Sequence, residues 1–497
     1  MGTPSMCIAW ENILAKPLAD LAEALDLEPQ PIWSQVLVQG ISEDTRCLAC
    51  GDLFVAIPGQ DQDGICFVDQ AIKKGAVAVV CERLIDLAVP VLVVPSARKA
   101  LAQLSASYYG HPTRELFAVG VTGTNGKTTV CHWTADLLGR KETKLLSTVE
   151  NEGIDGVGNT TPSSSTIQRL ARAALDEGLR HLIIEASSAG IEQDRVHAVD
   201  FDVCVFTNLS LEHTHHHAGL EAYKRAKLKL FEGLRPTACA VVNRDDPMYA
   251  AIAAATRAQI LTYGVHVRSD VRLTDVRQDH RGSWFIVTQA NGGQVAMTLP
   301  YPGEHNIANA LAAISVGIAR GLPMQTLAER LACAGPVLGR MEFYRRGDGL
   351  VAVVDFAHNA SSLETILRFL HGSTARVIAV FGCPGDGEHE KRVGMGKVAG
   401  QWANLVVLTS DNPKTEDPRA IASEICEGMV DTDVSVMIEL DRRQAIHAAL
   451  SQAEVGDVVL LAGKGHETVQ LIGKDRIPYS DADVLRELGF DRVPYVS

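Results

Sequence analysis

Short apolar runs alternate with stretches of helical periodicity along the whole chain. Leu116-Phe117-Ala118-Val119 is one such run, and Val130, Trp133, Leu137 and Leu138 after it share a helix face. A short apolar run bounded by turn residues reads as a buried strand. Strands are therefore expected at 52–57, 76–80, 181–185, 203–207, 240–243, 351–355, 377–381, 405–408 and 458–462, with a helix at 68–74 in the first unit. Helices between such strands predict βαβ units and parallel sheets. Between about 270 and 300 the pattern changes: 271–276 and 284–288 alternate with polar turns, which predicts antiparallel hairpins inserted into or flanking a sheet. Tyr109-Gly110-His111-Pro112 and Gly335-Pro336 interrupt the pattern as linkers, so residues 1–112, 113–335 and 336–497 read as three domains. No internal repeat or low-complexity tract appears.

One helical stripe carries an anomaly. Tyr223, Ala226, Leu230, Phe231 and Leu234 fall at i, i+3, i+7, i+8 and i+11, and Lys227 falls at i+4, inside the stripe. Lys224, Arg225 and Lys229 lie off it. A buried lysine is costly unless paired or modified. It either snorkels to water or is a desolvated amine able to take up carbon dioxide as a carbamate, which would then serve as a metal ligand.

With 497 residues the chain is too long for one core, and 46% hydrophobic with 21% charged residues suits a globular protein. A net charge of −14 argues against nucleic-acid partners and a general membrane-surface role, while leaving room for a small anionic substrate in a locally positive loop. No secretory signal or membrane-spanning run is visible, and eleven scattered cysteines suggest a reducing cytoplasm. Cys47-Leu48-Ala49-Cys50 lacks the second pair that a zinc site would want and reads as ordinary thiols.

The richest segment is Gly120 to Thr129, Gly-Val-Thr-Gly-Thr-Asn-Gly-Lys-Thr-Thr. Strand, glycine loop, Lys-Thr and helix form a phosphate-cradling arrangement. Gly123, Thr124, Asn125, Gly126, Lys127, Thr128 and Thr129 would surround the phosphates, with Lys127 on the β/γ-phosphates and the Thr128 hydroxyl on Mg²⁺. Val121 stands where such loops usually carry a further glycine, so the loop is a variant. Glu185 ends an apolar strand beside this loop, a position that faces the ligand crevice and suits Mg²⁺. His213, His215, His216 and His217 are dense enough to suggest a metal site or merely a polar loop; an intermediate reading has one or two of them lining the crevice, His213 foremost. Asn243-Arg-Asp-Asp-Pro247 reads as an Asx turn or a ribose contact. His305-Asn306-Ile-Ala-Asn309 precedes a helix expected at 310–321, as a cap or a base-recognition element. Arg340, at a domain boundary, could clamp a phosphate on closure.

Together, G-T-N-G-K-T-T, N-T-T-P (Asn159 to Pro162), E-A-S-S (Glu185 to Ser188), T-N-L-S, Y-x-x-A-K-x-x-L-F, G-R-M-E, D-N-P-K-T-E-D-P (Asp411 to Pro418) and G-K-G-H-E (Gly463 to Glu467) resemble the Mur ligase family over nearly the full length, in particular its UDP-N-acetylmuramoyl-tripeptide synthetase branch. The resemblance implies an α/β, three-domain Mur ligase architecture. An N-terminal uridine-nucleotide domain, carrying Asp44-Thr45-Arg46, would precede a central P-loop sheet and a C-terminal Rossmann-like domain. It implies a cytoplasmic, monomeric, ATP- and Mg²⁺-dependent ligase of peptidoglycan synthesis. Such an enzyme adds meso-diaminopimelate or a related diamino acid to UDP-N-acetylmuramoyl-L-alanyl-D-glutamate through an acyl phosphate. By the same resemblance Lys127, Glu185, His213 and Lys227 are catalytic, and Thr128, Glu185, His213 and a carbamylated Lys227 hold metal. Asn306, Arg340 and Asp355 bind nucleotide. Thr45, Arg46, Thr160, Thr161, Ser187, Gln193 and Arg195 bind the UDP-sugar peptide. Asp411, Asn412, Lys414, Gly463 and Glu467 form the pocket for the incoming amino acid.

The departures gather on the acceptor side. Ala189 stands where the family often has His, and Asp355-Phe-Ala-His358-Asn359-Ala360 stands for D-Y-A-H-T-P. Lys414 replaces the Arg of D-N-P-R and so lacks its bidentate fork. Gly387 replaces a second Arg, although Lys391 and Arg392 follow. These changes leave open a paralogue that joins a different carboxylate or amine in a specialised pathway.

Overall fold

The computed structural model describes residues 15–59, 62–151, 154, 159–210, 219–279, 282–372, 374 and 376–493. His213, His215, His216 and His217 lie outside these residues.

The first unit is a four-stranded parallel sheet of β1 (Gly40–Ser42), β2 (Asp52–Val55), β3 (Ala78–Cys81) and β4 (Val91–Val93), in that order. Helix α1 (Ala97–Tyr108) packs on it through Leu101, Leu104 and Tyr108.

The central sheet has nine strands. In chain order these are β5 (Phe117–Thr122), β6 (Thr143–Leu146), β7 (His181–Glu185), β8 (Val203–Phe206), β9 (Cys239–Asn243), β10 (Gln259–Gly264), β11 (Val271–Asp279), β12 (Gly282–Gln289) and β13 (Gln294–Leu299). Their spatial order is β13-β12-β11-β10-β9-β8-β5-β7-β6. From β6 to β11 all neighbours are parallel, while β11, β12 and β13 pair antiparallel and extend one edge. The hairpins expected near 270–300 are this extension. Along β5, Val119 and Val121 face one helical layer and Ala118 the other, as alternation in a strand covered on both faces requires. The first layer holds α2 (Lys127–Leu138) and, packed against it, α4 (Glu304–Ala319); the second holds α3 (Leu220–Glu232). The helix expected from residue 310 starts at Glu304 instead. Gly303, at φ +102°, occupies the cap position, so Asn306 and Asn309 are helical residues rather than caps.

The third unit is a seven-stranded sheet of order β18-β17-β16-β19-β15-β14-β20. Its strands are β14 (Glu342–Arg346), β15 (Val351–Asp355), β16 (Val377–Phe381), β17 (Leu405–Leu408), β18 (Ser435–Ile438), β19 (Val458–Ala462) and β20 (Phe490–Val493). Strands β14 and β20 are the antiparallel edge, and the rest are parallel. Helix α5 (Ala360–His371) follows β15. Among the described residues no helix is long and apolar enough to cross a membrane.

Candidate active site

In the central sheet the chain order reverses at β5, which lies between β8 and β7. Loops leaving β5 and its neighbours diverge there, and a crevice opens at the strands' carboxyl ends. The glycine loop 123–126 fills its floor. Gly123 and Gly126 sit at φ +148° and +82°. A Cβ on them would run into Thr207 Oγ1 and Asn309 Oδ1, so the close approach as well as the backbone angle demands glycine. The loop is clamped to β8's end: the Thr124 amide donates to Asn208 O (2.8 Å), the Asn125 amide to Asn208 Oδ1 (3.0 Å), and Thr207 Oγ1 to Asn125 O (2.7 Å). Lys127 opens α2 and its Nζ donates to Thr124 O (2.7 Å).

Glu185 ends β7, 2% exposed. Its carboxylate accepts from the Thr128 hydroxyl (3.1 Å) and from the amide and hydroxyl of Thr148 (2.9 and 3.0 Å). No motif pointed to Thr148. Lys227 is 1% exposed on α3, its Nζ donating to Gly123 O (2.8 Å) 4.2 Å from the centre of the Tyr223 ring. The stripe anomaly is thus a buried amine under the glycine loop. Tyr223 also meets Thr124 Oγ1 (3.1 Å), a second tie between helix and loop.

Thr128 and Glu185 offer a hydroxyl and a carboxylate, hard oxygens that fit Mg²⁺, which needs one or two carboxylates besides water and phosphate. Among the described residues no group of three or more His, Cys, Asp or Glu could hold a metal.

The crevice is a cavity of about 820 Å³, ample for a nucleotide and part of a second substrate. Lys127, Arg195 and Arg340 line it against the carboxylates of Glu185 and Asp355, so the site has a cationic surplus on an acidic protein. Thr160, Ser187, Gln193 and Arg195 form one wall. Arg195 donates to Gln193 Oε1 (2.7 Å) and Thr161 O (2.7 Å). Thr161 is fully buried, its hydroxyl donating to Glu185 O (2.7 Å) and accepting from the Ser187 amide (2.9 Å), and it does not line the cavity. Ala189, at the position where the family often has His, lines it too.

The third unit closes the far wall. Arg340 Nη2 donates to Thr128 Oγ1 (3.1 Å) and its guanidinium lies 4.5 Å from the centre of the Phe356 ring. Burial lowers its proton affinity, against the pull of Asp355 and Glu185. Asp355 accepts from the Met341 and Ala357 amides (2.7 and 2.6 Å), and burial pushes its carboxyl up to about 6. Asn306 donates to Pro302 O (2.8 Å) on the opposite side. Asn243 makes the Asx turn, accepting from the Asp245 amide (3.0 Å), and its side chain also donates to Thr207 O (2.8 Å).

A second cluster lies at the carboxyl ends of β17 and β19. Asn412 Nδ2 and Lys464 Nζ both donate to Glu467 Oε2 (2.9 and 2.6 Å). Lys464, fully buried, also reaches Asn412 Oδ1 (3.1 Å) and lies 4.0 Å from Asp411. A Cβ on Gly463 would sit 2.6 Å from Asp411 Oδ2. Lys464 was missed although it sits inside the G-K-G-H-E segment. Lys414 is half exposed and pairs with Asp386 (3.5 Å). Arg392 is buried and committed to Glu416 (2.7 Å) and Glu424 (3.0 Å). Its guanidinium lies beside Gly387, with Nη2 3.6 Å from where a Cβ on that residue would sit. Thr45 and Arg46 remain in the first unit, outside the central cavity: Thr45 bonds Gln70 (3.2 Å), and exposed Arg46 pairs with Asp44 (2.6 Å).

Comparison with known proteins covers all three units. Residues 37–109 match the Mur ligase family, catalytic domain; 121–317 match the Mur ligase middle domain; 339–465 match the Mur ligase, glutamate ligase domain. A UDP-N-acetylmuramoyl-L-alanyl-D-glutamate--2,6-diaminopimelate ligase of Geobacillus thermodenitrificans is 39% identical over 90% of this chain and 94% of its own. A Streptomyces coelicolor protein of the same name is 38% identical over 96% and 97%. A solved structure carrying that name superposes with a TM-score of 0.65 at 29% identity, covering 94% of this chain and 98% of its own. The MurF ligase of Thermotoga maritima in complex with ADP shares the fold at a TM-score of 0.62 and 20% identity, over 86% of this chain and 94% of its own.

Proposed function

Because the chain belongs to the Mur ligase family and is an ATP-dependent ligase, we propose that it joins 2,6-diaminopimelate, or a related diamino acid, to the glutamyl carboxylate of UDP-N-acetylmuramoyl-L-alanyl-D-glutamate in peptidoglycan synthesis. The observation that carries this reading is the glycine loop and Glu185 facing the cationic cavity, with the Asp411–Lys464–Glu467 cluster in the adjoining unit. ATP's γ-phosphoryl group passes to the substrate carboxylate, giving an acyl phosphate and ADP. The acceptor's amine then attacks the acyl carbon, loses a proton and expels phosphate. Lys127 and Arg340 offset charge on the moving phosphoryl group. The walls formed by Arg195 and Gln193 orient the anionic sugar peptide. Thr128, Glu185 and His213 would hold Mg²⁺, which supplies further charge neutralisation when bound.

Lys227 is proposed to act as a carbamate, formed as its neutral amine takes up carbon dioxide and releases a proton. Its burial beneath the loop supports this. Lys227→Ala should abolish turnover and short carboxylic acids should restore it; near-normal activity without them would sink the carbamate.

Phosphate release from ATP with the UDP-dipeptide and a panel of meso-diaminopimelate, lysine, ornithine and neutral amino acids tests the main reading. Release should require both the UDP-dipeptide and a diamino acid. A protein that binds ATP yet releases no phosphate with any amine would favour a ligase of a different carboxylate. The single ammonium of Lys414 and the sequestered Arg392 give that second reading its support.

A further inference from the structure

The side chain of Asn125, in the middle of the glycine loop, is held by the third unit at both ends of its amide. Asn359 Nδ2 donates to Asn125 Oδ1 (3.3 Å), and Asn125 Nδ2 donates to Ser361 Oγ (3.4 Å). Both partners belong to the first turn of α5. Asn359 is its cap residue, 3% exposed, and its own Oδ1 is taken by the Ser362 amide (2.7 Å) and hydroxyl (2.9 Å) in a capping box. That arrangement aims its Nδ2 across the gap. Because β8's end pins the main chain of Asn125, its side chain is the part of that residue left to engage another domain.

We propose that Asn359 and Ser361 form a latch on Asn125, fastening the third unit over the ATP loop and making Asn359 a positioning residue for phosphoryl transfer. At 3.3 and 3.4 Å both contacts are longer than the usual N–H···O range of about 2.7–3.2 Å, weak ties of the kind that can open at each turnover to let ADP leave. A threonine, the residue of the similar family motif at this position, caps a helix but carries no amide donor. The latch is thus a property of this chain's Asn359.

The inference rests on the ATP reading of the loop. The test uses Asn359→Thr, which keeps a capping oxygen, and Ser361→Ala. A non-hydrolysable ATP analogue alone is titrated into the full chain while small-angle scattering follows its contraction, and kcat and melting temperature are measured beside it. For Asn359→Thr the analogue concentration giving half-contraction should rise and kcat fall, each about fivefold, the worth of one modest hydrogen bond, at unchanged melting temperature. If that variant melts lower, Ser361→Ala carries the same expectation. Wild-type values for both variants overturn the latch. A wild type that neither contracts with the analogue nor releases phosphate overturns the ATP reading and the latch together. Contraction and turnover intact in wild type and equal in the variants overturn the latch alone.

Discussion

The central cavity and the β17/β19 cluster both contain buried or half-buried cations, but they treat them differently. Around the cavity Lys127 and Arg340 donate to neutral oxygens, Thr124 O and Thr128 Oγ1. In the cluster each cation faces a carboxylate: Lys464 faces Glu467, Arg392 faces Glu416 and Glu424, and Lys414 faces Asp386. The first arrangement leaves positive potential for an incoming polyanion. The second is already neutralised and suits a ligand carrying both signs, as an amino acid does.

The sharpest way to break this contrast is Lys464→Met. It strands Glu467 and Asp411 without their buried cation, and breaking such a pair costs about 3–5 kcal/mol. Urea unfolding should show that loss, and any surviving enzyme should have a raised KM for the amine. Lys127→Ala strands no carboxylate, so its urea midpoint should barely move. Its kcat for phosphate release should instead fall about 10²–10³-fold, as for removal of one transition-state donor. If Lys127→Ala unfolds like Lys464→Met, the distinction between neutral and ionic partners is wrong.

Acid should sharpen the contrast further. Burial, with help from Arg340, holds His132 down to about 3 and His466 down to about 4, and burial alone holds His305 down to about 4. All three are neutral in the fold and take up protons when unfolded below about 6.5. Stability is therefore lost as pH falls through that window. Asp355 acts oppositely, since the fold keeps its proton up to about 6 and loses stability as pH rises toward it. His111, His181 and His197 are lowered as well, and Asp52, Asp136, Asp246 and Asp411 are raised like Asp355. The histidines' unfolded forms titrate inside the window, so the melting temperature should be lower at about pH 5 than at about pH 7, His132 alone accounting for about 2 kcal/mol. A flat profile would deny that burial holds these imidazoles neutral. The smallest effect is expected from Arg443→Ala, whose solvent-screened pairing with Glu487 should leave the urea midpoint essentially unchanged.

The central parallel strands were legible because both their faces are buried and they read as unbroken apolar runs, whereas the shorter or more polar parallel strands β1, β4, β6, β10 and β18 were not expected. Edge strands β14 and β20 were not: Glu-Phe-Tyr-Arg-Arg and Phe-Asp-Arg-Val are short and half polar, and tertiary pairing decides their state. The glycine loop spelled out its place because its geometry is local. Thr148 is brought to Glu185 by the sheet, 37 positions away along the chain, and no spacing rule reaches that far. Lys227 betrayed itself by breaking a stripe. Lys464 gave no such sign, because nothing in Gly-Lys-Gly distinguishes a buried ammonium from a solvated one until Glu467 and Asn412 fold around it.

Gly339, ahead of β14, sits at φ +65°, and a Cβ there would strike the His466 amide. Descendants of this chain are therefore free to drift at one place and frozen at another. Lys414 and Asp386, about half exposed, border solvent rather than packed atoms, so other unbranched side chains fit there even at φ +51° and +58°. Gly339 has no such room, so diversification of substrate should leave position 339 a glycine.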